Sequence, residues 1–194
     1  MHNERIIIAG FGGQGILTMG QLIAQAALDE GRQVSWLPSY GPAMRGGTAN
    51  CNVIVDDDEI ASPIVHGDAT SVIIMNVPSM AFVADLVPGG LALVNTSMID
   101  ARVDRADVRA FYVPATERAI AAGDLKTTNL VMLGAFAEMT HCVGTESVLR
   151  ALEAKLGAKA HLRDANRRAF ALGGEAIRAQ QGAPRGPGVS PAAR

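Results

Sequence analysis

Only two cysteines, Cys51 and Cys142, occur in the 194 residues. They lie far apart, which excludes a C-x-x-C metal or redox pair and a dense disulfide framework. The four histidines, His2, His66, His141 and His161, share no zinc-ligand spacing with each other or with the cysteines. Aromatic residues are scarce at 4%, so the core has to be packed from aliphatic side chains. Neither sign of charge dominates. A net charge of -2 supplies no electrostatic reason for nucleic acid or an anionic membrane as partner. No stretch of about 18 apolar residues is present, and "MHNER" passes straight into an apolar run, unlike a signal peptide. A cytoplasmic protein that holds no metal of its own is the expectation.

What is abundant is aliphatic: 48% of residues are hydrophobic, and there are 21 glycines. Arg5 to Ala9 reads as a buried first strand. Ile16, Met19, Ile23 and Ala27 recur at helical spacing between Gln14 and Glu30, and Gly31 supplies a stop. "RQVSWLPS" is a second strand halted by Pro38, which completes a βαβ pattern with parallel strands. A loop rich in Gly and Pro spans 39–50. "NCNVIV" then pairs across the acidic turn Asp56–Glu59 with a short strand near Glu59–Ala61, as a β-hairpin. "SVIIMN" (71–76), "GLALVN" (90–95) and "RAFYVP" (109–114) are further strands, with a helix opened by Pro78 between the first two. From Leu125 onward the pattern is helical. Thr145 reads as an N-cap of "GTESVLRALEAKLG". The fold expected is α/β: a mostly parallel, Rossmann-like sheet with helices on both faces, a β-hairpin insertion and a helical C-terminal segment. One domain would span residues 1–178. Residues 179–194, rich in Pro, Gly and Ala, would form a disordered tail.

Gly10, Gly12 and Gly15 form a G-x-G-x-x-G that follows a strand and opens a helix. Two readings stay open: a tight turn serving helix packing, or an anion site in which backbone N–H groups and the helix dipole face a phosphate. A dinucleotide site would need an acid about 20 residues on, at the end of the second strand, to grip the ribose. "SWLPSY" offers none there. Walker A chemistry fails too, because Gly15-Ile16-Leu17 stands where Gly-Lys-Ser/Thr is required. Gly67-Asp68 and Gly123-Asp124 lack the continuation of a thiamine motif. Asn76 and Asn95 stand at the ends of parallel strands, where such sheets place ligand groups or loop caps. Cys51 reads as a small buried hydrophobe. Thr128 and Asn129 read as a contact at a helix start.

"IIIAGFGGQGILTMGQLIAQAA", "WLPSYGPAMRGGTANCNVIV", "VPGGLALVNTSMI", "VPATERAIAAGDLKTTNLVMLGA" and "NRRAFALGGE" together resemble the gamma subunit of a 2-oxoacid:ferredoxin oxidoreductase, nearest the 2-oxoglutarate (KorC-like) branch. The resemblance covers roughly residues 4 to 175. It implies oxidative decarboxylation of a 2-oxoacid to an acyl-CoA with electrons passed to ferredoxin. It also implies alpha and beta subunits that hold thiamine diphosphate and Mg²⁺, and [4Fe–4S] clusters on partner chains such as a ferredoxin-like delta subunit. In such a complex this chain would stand on the CoA side, binding CoA as substrate. The candidate contacts are Gly10, Gly12, Gly13, Gln14 and Gly15, with Tyr40, Arg45, Gly46, Gly47, Thr48 and Asn50 as a second surface that serves either an anion or subunit docking. Gln14 offers an uncharged amide to ligand or partner, and Arg45 a bidentate anion contact. No residue here is expected to be catalytic. Relatives commonly carry Glu where this chain has Ala43, so Arg45 lacks a neighbouring carboxylate. Aromatic 2-oxoacids (phenylglyoxylate, indolepyruvate) and pyruvate remain beside 2-oxoglutarate. The alternatives are a structural subunit of the same complex and a stand-alone NAD(P)-binding oxidoreductase.

Overall fold

A computed structural model describes residues 3–40, 47–156 and 162–182. Six strands form one sheet: β1 (Glu4–Phe11), β2 (Gln33–Tyr40), β3 (Thr48–Asp56), β4 (Ala69–Ile74), β5 (Leu86–Asn95) and β6 (Arg109–Val113), in the order β2-β3-β1-β4-β5-β6. The pairings β1–β4, β4–β5 and β5–β6 are parallel, and β3 runs antiparallel to both of its neighbours. Side chains alternate across the sheet. Ile6 and Ile8 therefore join one apolar cluster while Ile7 and Ala9 join the other. The first cluster is completed by α1 (Ile16–Asp29), α2 (Ala115–Ala122), α3 (Thr128–Thr140), α4 (Thr145–Leu156) and α5 (Arg163–Gly182). The opposite face is covered by the 3-10 helix Val77–Asp85 and by Val65, Ile99 and Val103 from irregular segments. Helical cover thus exists on both faces but is thick on one only.

The hairpin differs from the sequence expectation. β3 pairs with β2, not with residues 59–61, which are not a strand. Cys51, Val53 and Val55 bury on one face and Ile54 on the other. A strand apolar on both faces belongs inside a sheet, whereas Glu59 and Ala61 are exposed. By entering between β1 and β2, β3 separates the two strands of the expected βαβ unit. Pro38 does not stop β2, which continues to Tyr40. On an edge strand the missing N–H of proline breaks no ladder on the free side. Two other boundaries move. Gly144, whose carbonyl accepts from Val148 N–H, takes the cap position expected of Thr145, and α5 runs to Gly182, past residue 179. Residues 183–194 lie outside the described residues. The far edge, β6, is closed by one side chain: Gln180 Nε2 donates to Tyr112 C=O (2.9 Å), and its Oε1 accepts from Tyr112 N–H (3.2 Å).

α3 is buried from Asn129 through Ala137, and α5 lies directly on it. A Cβ at Gly134 would stand 1.9 Å from Phe170 O, and one at Gly173 would stand 1.9 Å from Val131 O. These are backbone-to-backbone contacts that no rotamer change relieves. Gly134→Ala is therefore expected to lower unfolding stability by roughly 1–3 kcal/mol or more, read as a fall in the urea midpoint. Burial also pushes the thiols of Cys51 and Cys142 up to about 12. At pH 8 both are protonated. Neither should react with a thiol reagent until the chain is unfolded, when both should react.

Candidate functional site

The chain leaves β1 at Phe11 and turns through the glycines into α1. Gln14 fixes that turn: its Oε1 accepts from Phe11 N–H at 2.6 Å, and its Nε2 donates to Met75 C=O at 3.2 Å. The amide bridges the carboxyl ends of β1 and β4, where the strand order reverses direction and α/β sheets place their ligand crevice. Both ends of Gln14 are therefore engaged within the chain. Gly10 is held by packing, since a Cβ would meet Gln14 Oε1 and Ile16 Cδ1 at 2.6 Å. Gly15, at φ 77, caps α1 and lies against Asn129, whose side chain would be 2.5 Å from an added Cβ. Gly13, at φ 98, has nothing within 4 Å of that position. The turn is thus packed at Gly10 and Gly15 and open at Gly13.

The second surface joins the first. Gly12 N–H donates to Gly47 C=O at 2.9 Å. Thr48 stands opposite Phe11 on β1, and Asn50 opposite Ala9. Tyr40 ends β2, two strands from the glycine turn. A ribose-gripping acid on β2 would sit about 10 Å from β1 instead of the roughly 5 Å of adjacent strands. Arg45, Gly46 and Ala43 lie outside the described residues.

A cavity of about 380 Å³ opens beside the turn, with Gly13, Gly15, Asn95, Thr116, Lys126 and Asn129 among its lining residues. Asn95 ends β5 and is fully buried. Its Oδ1 accepts from Ser97 N–H (3.2 Å) and Ala115 N–H (3.3 Å), tying the strand end to the start of α2. Its Nδ2 has no partner among the described residues. Asn76 does the same at β4: Oδ1 accepts from Ser79 N–H at 3.0 Å, and Nδ2 is likewise unpartnered. The loop-capping role therefore belongs to both asparagines, with one amide donor left over on each.

Lys126 is the one charged side chain among the described residues that line this cavity. No Asp or Glu lines it. The N–H groups of Gly13, Gly15 and Thr18 make no hydrogen bond among the described residues, and they stand at the positive end of the α1 dipole. The Lys126 ammonium lacks a carboxylate partner among the described residues. Glu117, nearby, has its carboxyl held below the usual carboxylate range chiefly by the Ser97 hydroxyl. Lys126 and Thr116 escaped the sequence reading because their place at the cavity comes from α2 and α3 docking beside β5. "GDLKTTN" carries no spacing that announces it. Two exposed apolar side chains are among the residues that line the cavity, Met98 at 51% and Leu125 at 56% exposure. Apolar side chains gathered at a cleft mark contact surfaces. No three His, Cys, Asp or Glu side chains gather as a metal site among the described residues, and no helix there is long and apolar enough to cross a membrane.

The model of the pyruvate ferredoxin/flavodoxin oxidoreductase family matches residues 5–176. The ketoisovalerate oxidoreductase subunit VorA of Methanothermobacter thermautotrophicus is 39% identical over 174 residues, taking in 88% of this chain but 36% of VorA. The chain thus spans about a third of that relative's length. The 2-oxoglutarate synthase subunit KorC of Methanothermobacter marburgensis is 33% identical over 157 residues, 77% of this chain and 84% of KorC. Among solved structures, the gamma subunit of a keto/oxoacid ferredoxin oxidoreductase from Geobacter sulfurreducens superposes with a TM-score of 0.77 at 27% identity, covering 91% of this chain and 99% of that one. Matched over nearly all its described length, and sharing the fold of a gamma subunit of like size, the chain belongs to the pyruvate ferredoxin/flavodoxin oxidoreductase family.

Proposed function

We propose that this chain is the gamma subunit of a CoA-acylating 2-oxoacid:ferredoxin oxidoreductase of the cytoplasm. It presents the cavity at its glycine turn to the CoA side of the assembled site. One observation carries the reading: a cavity at the carboxyl edge of the sheet that is lined by Lys126 and no carboxylate, with the exposed Met98 and Leu125 in its lining. The cation suits a phosphorylated cosubstrate and the two apolar side chains suit a partner chain. The reaction converts 2-oxoacid and CoA to acyl-CoA and CO₂, and two electrons leave one at a time to ferredoxin. Thiamine diphosphate with Mg²⁺ and the [4Fe–4S] clusters go to the alpha, beta and delta subunits. This chain's own residues do not fit them: both cysteines are buried and separate, and no three His, Cys, Asp or Glu side chains gather to hold a metal among the described residues.

The 2-oxoacid favoured from sequence is 2-oxoglutarate, and KorC supports it. The 39% identity to VorA supports a second substrate, ketoisovalerate. The complex, co-purified with its partner chains, should reduce a viologen dye only with CoA present, with one of these two acids fastest in a panel. Nicotinamide-dependent turnover by the isolated chain would overturn the reading. Met98→Asp and Leu125→Asp should each weaken subunit association by tenfold or more, about 1.4 kcal/mol, in a sedimentation or pull-down titration. Val87→Asp, outside the cavity lining, should not.

A further inference from the structure

The geometry points to a second interaction surface, made of the free edge of β2 and the groove behind it, whose occupant is a second copy of this chain. The two copies join their sheets antiparallel along β2, about a twofold axis at Trp36. The groove shares no lining residue with the cavity at the glycine turn, so this surface goes beyond the function proposed above and does not depend on it.

The ladder pattern says which groups the edge leaves open. Gly12 N–H donates to Gly47 C=O, just beyond the Phe11–Thr48 pair. In an antiparallel ladder that makes Phe11–Thr48 a non-hydrogen-bonded pair, and bonded pairs alternate from there. Ala49, Cys51 and Val53 therefore turn their backbone groups to β1. Asn50, Asn52 and Ile54 turn theirs to β2, onto Ser39, Leu37 and Ser35. The N–H and C=O of Val34 and Trp36, and the C=O of Pro38, face outward and meet no strand among the described residues. The other edge differs, because Gln180 occupies the outward groups of Tyr112 on β6. One edge is capped by a side chain, and the open one is a template for a further strand.

Two features select a second copy as that strand. Pairing Trp36 with Trp36 of the copy exchanges both of their bonds and sets each Val34 opposite a Pro38, so Val34 N–H reaches the proline C=O. Every outward N–H from Val34 to Pro38 is then satisfied, and only the Val34 C=O lacks a donor. The second feature is charge. A groove of about 840 Å³ lies behind β2 between α1 and α4, and Trp36, Leu28, Asp29 and Lys155 are among its lining residues. α4 runs back along α1: Gly144 N–H donates to Glu30 at one end, and Lys155 Nζ donates to Gln21 at the other. From Gln21 to Asp29 is about 12 Å of helix at 1.5 Å per residue, so anion and cation stand at opposite ends. Neither Asp29 nor Lys155 has an ion-pair partner among the described residues. A twofold axis turns the groove end for end and brings each Asp29 opposite the Lys155 of the other copy. Leu28, 54% exposed, is covered in the same step.

The full-length chain, without partner subunits, is followed by sedimentation equilibrium and by amide hydrogen exchange. It should be a dimer that dissociates on dilution. Exchange at Val34 and Trp36 should be slower in the dimer, and exchange at Tyr112 should be the same in both states. Asp29→Lys and Lys155→Glu, both at exposed helix positions, should each weaken the dimer by about tenfold with the thermal midpoint retained. Mixed in equal amounts, the two variants should pair with each other about as tightly as wild type, because each mixed dimer restores both opposite-charge contacts. A chain that stays monomeric, a dimer in which Val34 and Trp36 exchange as fast as in the monomer, or charge variants that do not recover on mixing overturns the proposal. Protection of those two amides that appears only when a partner subunit is added overturns it as well, and assigns the edge to that subunit.

Discussion

The amide of Gln14 joins two strand ends that the chain itself leaves unconnected. β1 and β4 are parallel neighbours, and beyond their last ladder bonds their carboxyl ends would be free to splay. With Oε1 on Phe11 N–H and Nε2 on Met75 C=O, one side chain sets how the glycine turn leaves the sheet and the angle at which α1 departs. Gly15 then rests on Asn129, so the start of α3 is indexed to the start of α1. Asn95 performs the corresponding task at β5 by holding the start of α2. The cavity is the space left between elements located by these two amides.

This arrangement gives a familiar motif an unfamiliar setting. In a dinucleotide fold the strand after the first helix lies beside β1, close enough for an acid at its tip to grip a ribose. Here β3 occupies that place, because its apolar residues on both faces need the sheet interior, and β2 is displaced to the edge. The phosphate-friendly end of the motif survives and the ribose-gripping end is removed.

Several elements are legible in the residues themselves. Ile6-Ile7-Ile8 reads as a buried first strand and is buried on both faces; Ile16, Met19, Ile23 and Ala27 mark the inner face of α1, all buried; Pro114 and Gly123 bracket α2. These signals are local, set by side-chain period and backbone preference. The family motifs were also plain, because they are runs of specific residues. The partner of "NCNVIV" is not legible in the sequence, since an acidic turn followed by a few apolar residues looks like a hairpin, whereas β3 pairs with β2. Burial on both faces of β3 settled the matter, and burial is a property of the assembled sheet.

The sequence by itself determined the material of this protein: aliphatic strands and glycines at a strand-to-helix turn. Only the tertiary structure decided how those parts face one another. It placed β3 between β1 and β2, spent the Gln14 amide on the chain's own backbone, and left the Asn95 amide nitrogen without a partner among the described residues. The physical reason is that period and propensity act over a few residues, whereas hydrogen-bond satisfaction is decided among groups that meet only after the sheet has ordered its strands and the helices have docked.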